Sequence, residues 1–294
     1  MKIAIIGAGN VGAMVASRIV DAGLADVVLM DIIPGLAKGK ALDISDARPV
    51  LDSRVDIRGS EKFEDIKGAD IVIITAGLAR KPGMSRDDLL RKNAQIIKDV
   101  SFEIKKHCAS SLIIVVTNPL DAMTYLAMKT TGFDPRRVIG MAGALDSARF
   151  INIVSEKIDR IDGNKIFMMG SHGNAMVPIN RSEKLSEPVF KESSERAKNR
   201  GAEIVSYLKN GSAYFAPSAA VFLMLRSIIR NEQNTICASV YLQGQYGEDD
   251  IYIGVPVVLG LSGVKDIVEI DLTNEEKEAF KRSAQEIRNS IKKL

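Results

Sequence analysis

KIAIIGAGNVG, residues 2–12, sets a short run of apolar residues directly against a glycine-rich turn. A strand that stops at Gly7 and a helix that begins inside the turn are what this order predicts. The helical pattern then runs to about residue 22, where Gly23 supplies a stop. No cleavage region follows the apolar run, so it reads as a strand and not as a secretion signal. Gly7, Gly9 and Gly12 stand in the spacing G-x-G-x-x-G. In a dinucleotide site the three glycines give a tight turn, room for a pyrophosphate, and close helix–strand packing. The intervening Ala8, Asn10 and Val11 share that turn, and the helix aims its first amides at the phosphates.

Outward from this stretch, apolar runs alternate with helical patterns. Residues 26–32, 55–60, 69–77, 111–119 and 137–143 read as strands of a parallel sheet covered on both faces. The first ~140 residues therefore form a doubly wound α/β unit in this reading. Beyond residue 144 the pattern changes: helices are predicted near 144–158, 192–209 and 217–230. TICASVYLQGQYG and DIYIGVPVVLG form a long antiparallel pair. Thr273 and Glu276 have capping-box spacing before a last helix, and Ser85 is placed to cap the helix after LARKPGMSR. The expected division is a dinucleotide-binding domain over 1–143 and an α+β substrate domain over 144–294.

Composition narrows the function. Forty Lys and Arg against 37 Asp and Glu leave a net charge of +3. No block of five or six like charges gathers, so no nucleic-acid partner is expected. No apolar run approaches the ~20 residues of a membrane span. Cys108 and Cys237 have neither metal nor redox spacing, and two unpaired thiols suit a reducing, cytoplasmic setting. No ligand cluster has metal spacing.

Asp31 ends the second strand about twenty residues after the turn, where a carboxylate accepts hydrogen bonds from ribose hydroxyls. It would repel a 2′-phosphate, so NAD is favoured over NADP. The chain has two histidines. His107, beside Lys105 and Lys106, is expected to face solvent. His172 lies in a glycine-flanked loop after an apolar strand, where a general base is commonly displayed. Asp146 and Arg149, three apart, project from one helix face, a spacing that also serves a surface ion pair. Set across from His172, Asp146 would orient the imidazole and Arg149 would grip a carboxylate.

GAGNVG, Asp31, TAGLARKPGMSRDDLL, VVTNPLD, LDSARF and GSHG occur in an order that resembles the lactate/malate dehydrogenase family over essentially the whole chain. The resemblance implies a Rossmann domain, NAD as cofactor, and reversible hydride transfer between malate and oxaloacetate. It implies that His172 is the proton donor and acceptor and Asp146 its orienting partner. It assigns Arg149 to the carboxylate beside the reacting carbon and Arg86 to a lid that polarises the carbonyl. Asn118 would touch both cofactor and substrate, and Asn93, Val116 and Thr117 would line the cofactor site. Arg80 stands where lactate enzymes of the family usually have glutamine, and so points to a second carboxylate on the substrate. Ala213 is small where those enzymes commonly carry threonine. Asn174 departs from the aspartate frequent in relatives, and the stretch 184–200 is shorter. A homo-oligomer, dimer or tetramer, is also implied. The alternatives are a lactate or other 2-hydroxy-acid dehydrogenase, and a non-catalytic NAD-binding module.

Overall fold

The computed structural model describes residues 1–78, 85–209 and 211–294; the side chain of Arg86 is also outside the described set. The first half runs β1 (Lys2–Ile6), α1 (Asn10–Asp21), β2 (Asp26–Met30), α2 (Leu36–Ala47), β3 (Ile57–Ser60) and β4 (Ile71–Ile74). It continues with α3 (Arg86–His107), β5 (Leu112–Val115), α4 (Leu120–Thr131) and β6 (Val138–Gly140). These six strands are all parallel, in the order β3-β2-β1-β4-β5-β6. That is the doubly wound order, whose switch point lies between β1 and β4.

Burial on both faces explains why the strands read as continuous apolar runs, IVII in β4 and LIIV in β5. Successive side chains point to opposite faces. Ile3, Ile5, Ile71 and Ile73 join one core with Val15 and Ile19 of α1. Ala4, Ile6, Val72 and Ile74 join the other with Ile97 and Ile104 of α3 and Met123 of α4.

The second half comprises α5 (Gly143–Ser155), β7 (Ile166–Gly170), β8 (Met176–Asn180), α6 (Glu187–Leu208) and α7 (Phe215–Arg230). After them come β9 (Thr235–Gln243), β10 (Asp249–Gly260), β11 (Gly263–Ile267) and α8 (Asn274–Ile291). Its strands pair antiparallel. One antiparallel pairing, Gly140 with Ser239, joins β6 to β9, so the sheet runs on from one half into the other. Glycines make this seam close. A Cβ on Gly140 would lie 2.6 Å from Thr124 Oγ1, and one on Gly143 would lie 2.5 Å from Cys237 Cβ.

Several details differ from the sequence reading. MVPIN forms β8, with Pro178 tolerated because β8 ends the strand order. GVKDI forms β11 against β10. The helix expected from 192 starts at Glu187, after Ser186 and with a proline in its first turn. His107 does not face solvent: its side chain is 10% exposed, with Nε2 3.2 Å from Glu103 Oε2 one helical turn back. Both expected caps form. Ser85 Oγ accepts from the Asp88 N–H at 3.0 Å, and Thr273 Oγ1 accepts from the Glu276 N–H at 3.2 Å.

Candidate active site

The glycine turn is held from every side. The Gly7 N–H donates to Met30 O (2.8 Å), and Thr75 Oγ1 donates to Gly7 O (2.8 Å). Gly7 has φ +108°, and a Cβ there would lie 2.6 Å from Ala76 N. A Cβ on Gly12 would collide with Gly7 O, whereas one on Gly9 would meet nothing within 4 Å. The turn is therefore closed behind Gly12 and open in front of Gly9. No side chain caps α1 at Gly9, so the first amides of the helix beginning at Asn10 and Val11 are free for an anion. Asp31 accepts from the Ala8 N–H (2.6 Å) and the Ile33 N–H (3.0 Å), one on each oxygen. Each oxygen keeps a lone pair for a ribose hydroxyl. These residues fit a dinucleotide.

Lys40 was not expected here. It reaches from α2 and donates to Ala8 O at 2.8 Å, so the peptide of residue 8 is gripped by an acid on one side and a base on the other. Asn93 is fully buried. Its side chain accepts from the Leu78 N–H (2.8 Å) and donates to Leu78 O (3.2 Å) and Asn118 O (2.6 Å). It thus ties together the segments that leave β4 and β5. Thr117 is buried and donates to Ala76 O at 2.7 Å, while Val116 is half-buried and its N–H donates to Ile74 O (2.9 Å).

Asn118, exposed at the mouth of this segment, lines a cleft of about 460 Å³ with Asp121, His172, Asn174 and Lys293. His172 Nδ1 lies 2.8 Å from Asp146 Oδ2, and Asp146 is 3% exposed. With Nδ1 engaged, Nε2 is the ring nitrogen left for chemistry. Burial opposes the charged ring, but the charge and hydrogen bond of Asp146, helped by Asp121, hold the His172 pKa above its ordinary value. Arg149 approaches the other oxygen of Asp146 at 3.7 Å. Among the described residues its buried Nε has no acceptor, which is the state of a guanidinium that completes its hydrogen bonds on a ligand. Burial pulls the Arg149 pKa down, and Arg200 adds to that against the pull of Asp146. His172, Asp146 and Arg149 therefore come together. Arg80 lies outside the described residues, as does the side chain of Arg86.

The family follows from the whole chain. The lactate/malate dehydrogenase NAD binding domain matches residues 1–140, and the alpha/beta C-terminal domain of the same enzymes matches residues 143–294. The chain belongs to the lactate/malate dehydrogenase family. It is 43% identical to a malate dehydrogenase of Methanosarcina mazei, covering 100% of this chain and 99% of that one. The structure of Cryptosporidium parvum malate dehydrogenase superposes with a TM-score of 0.94 at 36% identity, covering 100% of this chain and 98% of that one. The lactate dehydrogenase of Cryptosporidium parvum, complexed with lactic acid and the dinucleotide cofactor, gives 0.93 at 34% identity, with coverage of 99% and 96%.

In this member of the lactate/malate dehydrogenase family a second acid stands beside the histidine. Asp121, 5% exposed, accepts from the His172 N–H (2.9 Å) and from Ser239 Oγ (2.7 Å). Burial pushes its carboxyl up to about 6, against those two hydrogen bonds and the charge of His172. VVTNPLD contained the one local signal, an acid in the first turn of a helix. Its neighbours lie 51 and 118 residues away, so its burial was not readable.

Proposed function

We propose that the chain is an NAD-dependent malate dehydrogenase, interconverting malate and oxaloacetate. The observation that carries the reading is the His172–Asp146 contact of 2.8 Å, in a cleft shared with Asn118 and beside a buried arginine. Gly7–Gly12, Asp31 and the 116–118 segment would hold the dinucleotide, which supplies a hydride acceptor or donor when bound. In oxidation, His172 Nε2 takes the hydroxyl proton while Nδ1–H donates to Asp146, whose charge stabilises the imidazolium. In reduction the same nitrogen returns the proton. Arg149 holds the carboxylate beside the reacting carbon.

Arg86 is assigned to the carbonyl oxygen and Arg80 to the distal carboxylate on the strength of the sequence. An arginine closed over a methyl group would leave a buried charge unpaired, which disfavours lactate and pyruvate. The domain limits, 1–143 and 144–294, and a homo-oligomer belong to the same proposal. Two buried, unbridged cysteines support a cytoplasmic setting. No helix among the described residues is long and apolar enough to cross a membrane.

Steady-state kinetics with oxaloacetate and pyruvate, each with NADH and NADPH, test the reading. Oxaloacetate with NADH should give the highest kcat/KM. Arg80→Gln should lower it on the order of a hundredfold for oxaloacetate and not for pyruvate. Preference of the wild-type chain for pyruvate would overturn the malate assignment in favour of the lactate one.

A further inference from the structure

His172 is gripped by two carboxylates, and only one of them touches its ring. Asp121 holds the backbone N–H of His172 at 2.9 Å and the hydroxyl of Ser239 at 2.7 Å. It thereby joins the first turn of α4, the loop after β7 and the middle of β9. Three residues before it, Asn118 lines the same cleft as His172. Among the described residues no side-chain nitrogen of Lys, Arg or His lies within 4.0 Å of the Asp121 carboxylate, whose partners are the His172 backbone N–H and the Ser239 hydroxyl. A fully buried carboxylate without a cation is an expensive way to satisfy one amide and one hydroxyl. Packing alone does not call for the charge; the histidine beside it does.

We propose that Asp121 is a positioning residue for His172, fixing the loop that carries the ring and supplying, from the backbone side, a second negative charge that favours the imidazolium. The inference rests on the reading of His172 as the proton-exchanging group. The charged groups acting most strongly on the pair are Asp146 and Arg149, both from α5, together with His172 itself. Asp87 of α3, Glu286 of α8 and Lys293 line the same cleft, with Lys293 paired to Asp87. Asp146 and Asp121 both favour the charged ring and Arg149 opposes it. A raised Asp121 pKa, near 6, means that the second charge is withdrawn as the solution turns acid. The site thus has two coupled acids around one base, and their titrations belong to the set as a whole.

Because the chain has only two histidines, the His172 ring can be followed directly by proton NMR, with His107→Gln to assign the other signal. In Asp121→Asn, which keeps the shape and removes the charge, the His172 midpoint should fall by about half to one pH unit. The alkaline limb of kcat/KM for reduction should move down with it, because that direction needs the protonated ring. NADH affinity should stay unchanged. Ser239→Ala provides the second variant: it keeps the carboxylate and removes one of its hydrogen bonds, so Asp121 should protonate at higher pH. The acid-side inflection of the His172 titration should rise accordingly. If Asp121→Asn folds and the His172 midpoint stays within about 0.1 unit of wild type, the proposal is overturned. If Asp121→Asn does not fold and Ser239→Ala leaves the titration untouched, it is overturned as well. The NMR readout needs no turnover, so a wrong substrate assignment would show in the kinetics and leave this test intact.

Discussion

Gly9 and Gly12 lie three residues apart in one motif, yet the structure gives them different work, and substitution separates the two. Alanine at Gly12 places its Cβ against Gly7 O, well inside the 3.0 Å that real Cβ atoms respect, and 2.7 Å from Thr75 Oγ1. The carbonyl would have to retreat by about 1 Å. It cannot do so alone, because Thr75 Oγ1 donates to it and the N–H of the same residue is bonded to Met30 O. Overpacking costs about 1–3 kcal/mol, and with two bonds strained the upper figure applies. At roughly 2–4 °C per kcal/mol for a large single chain, the melting midpoint of Gly12→Ala should fall by roughly 6–12 °C. Alanine at Gly9 meets nothing within 4 Å, and its φ of −64° and ψ of −170° suit any residue. Its midpoint should stay within about 1 °C of wild type. The new methyl, however, stands before the first amides of α1, where the pyrophosphate would rest. NADH affinity should drop at least about tenfold, or ~1.4 kcal/mol. Thermal melts of the free protein and fluorescence titration with NADH read the two effects separately. Gly9→Ala binding NADH as wild type does would refute the cradle, and an unchanged melt for Gly12→Ala would refute the packing argument.

Asp146→Asn keeps the shape of the orienting group but offers the ring an amide in place of a carboxylate. Turnover should fall on the order of 10³-fold or more, and the His172 pKa should drop. Oxidation, which needs the neutral ring, should then begin at lower pH; steady-state profiles of both directions check this. The raised His172 pKa in the wild type also favours folding at pH below the ordinary imidazole value, and that contribution fades as pH rises through the folded-state pKa. Asp146→Asn should flatten this slope in denaturant melts recorded across pH. Both thiols are buried, which pushes Cys237 up to about 12 and raises Cys108 as well. Neither should react with an aromatic disulfide reagent in the native protein, and both should react in guanidinium.

The N-terminal half was readable because its signals are local. Strands β1, β2, β4 and β5 each carry a run of four apolar residues, and the glycine stop Gly23 lies just past the helix it ends. The same locality gave the cap at Ser85 and the capping box at Thr273. What could not be read depends on partners distant in sequence. Pro178 argues against a strand unless β8 is known to sit at the end of the sheet. His107 follows two lysines, which suggests solvent, but helical geometry turns it back onto Glu103. His172, Asp146 and Arg149 were legible as residue types at plausible spacings. Their meeting depends on α5 and the loop after β7 being packed together, which one-dimensional pattern does not state. Asp121 lies within VVTNPLD, where no local pattern assigns it a role, because its partners His172 and Ser239 are far along the chain.

The position of the site follows from where the sheet changes direction. Strands β1, β4, β5 and β6 are parallel, so the segments that leave them emerge along one edge. That edge carries the glycine turn after β1, Asn118 after β5, and α5 with Asp146 and Arg149 after β6. The histidine cannot come from this series, because β7 belongs to the antiparallel half. It arrives on the loop beyond Gly170, a residue with φ +85° paired with Gly254 of β10. The Ser171 N–H is anchored to Ser283 Oγ of α8 at 2.6 Å. Ser239 stands at the seam itself: its backbone registers with Gly140 and its hydroxyl bonds Asp121. The two acids around His172 thus reach it from opposite halves of the chain, Asp121 through the backbone and Asp146 through the ring. The His172 pKa is raised chiefly from within the second half, by the charge and hydrogen bond of Asp146, and docking the halves adds the smaller contribution of Asp121.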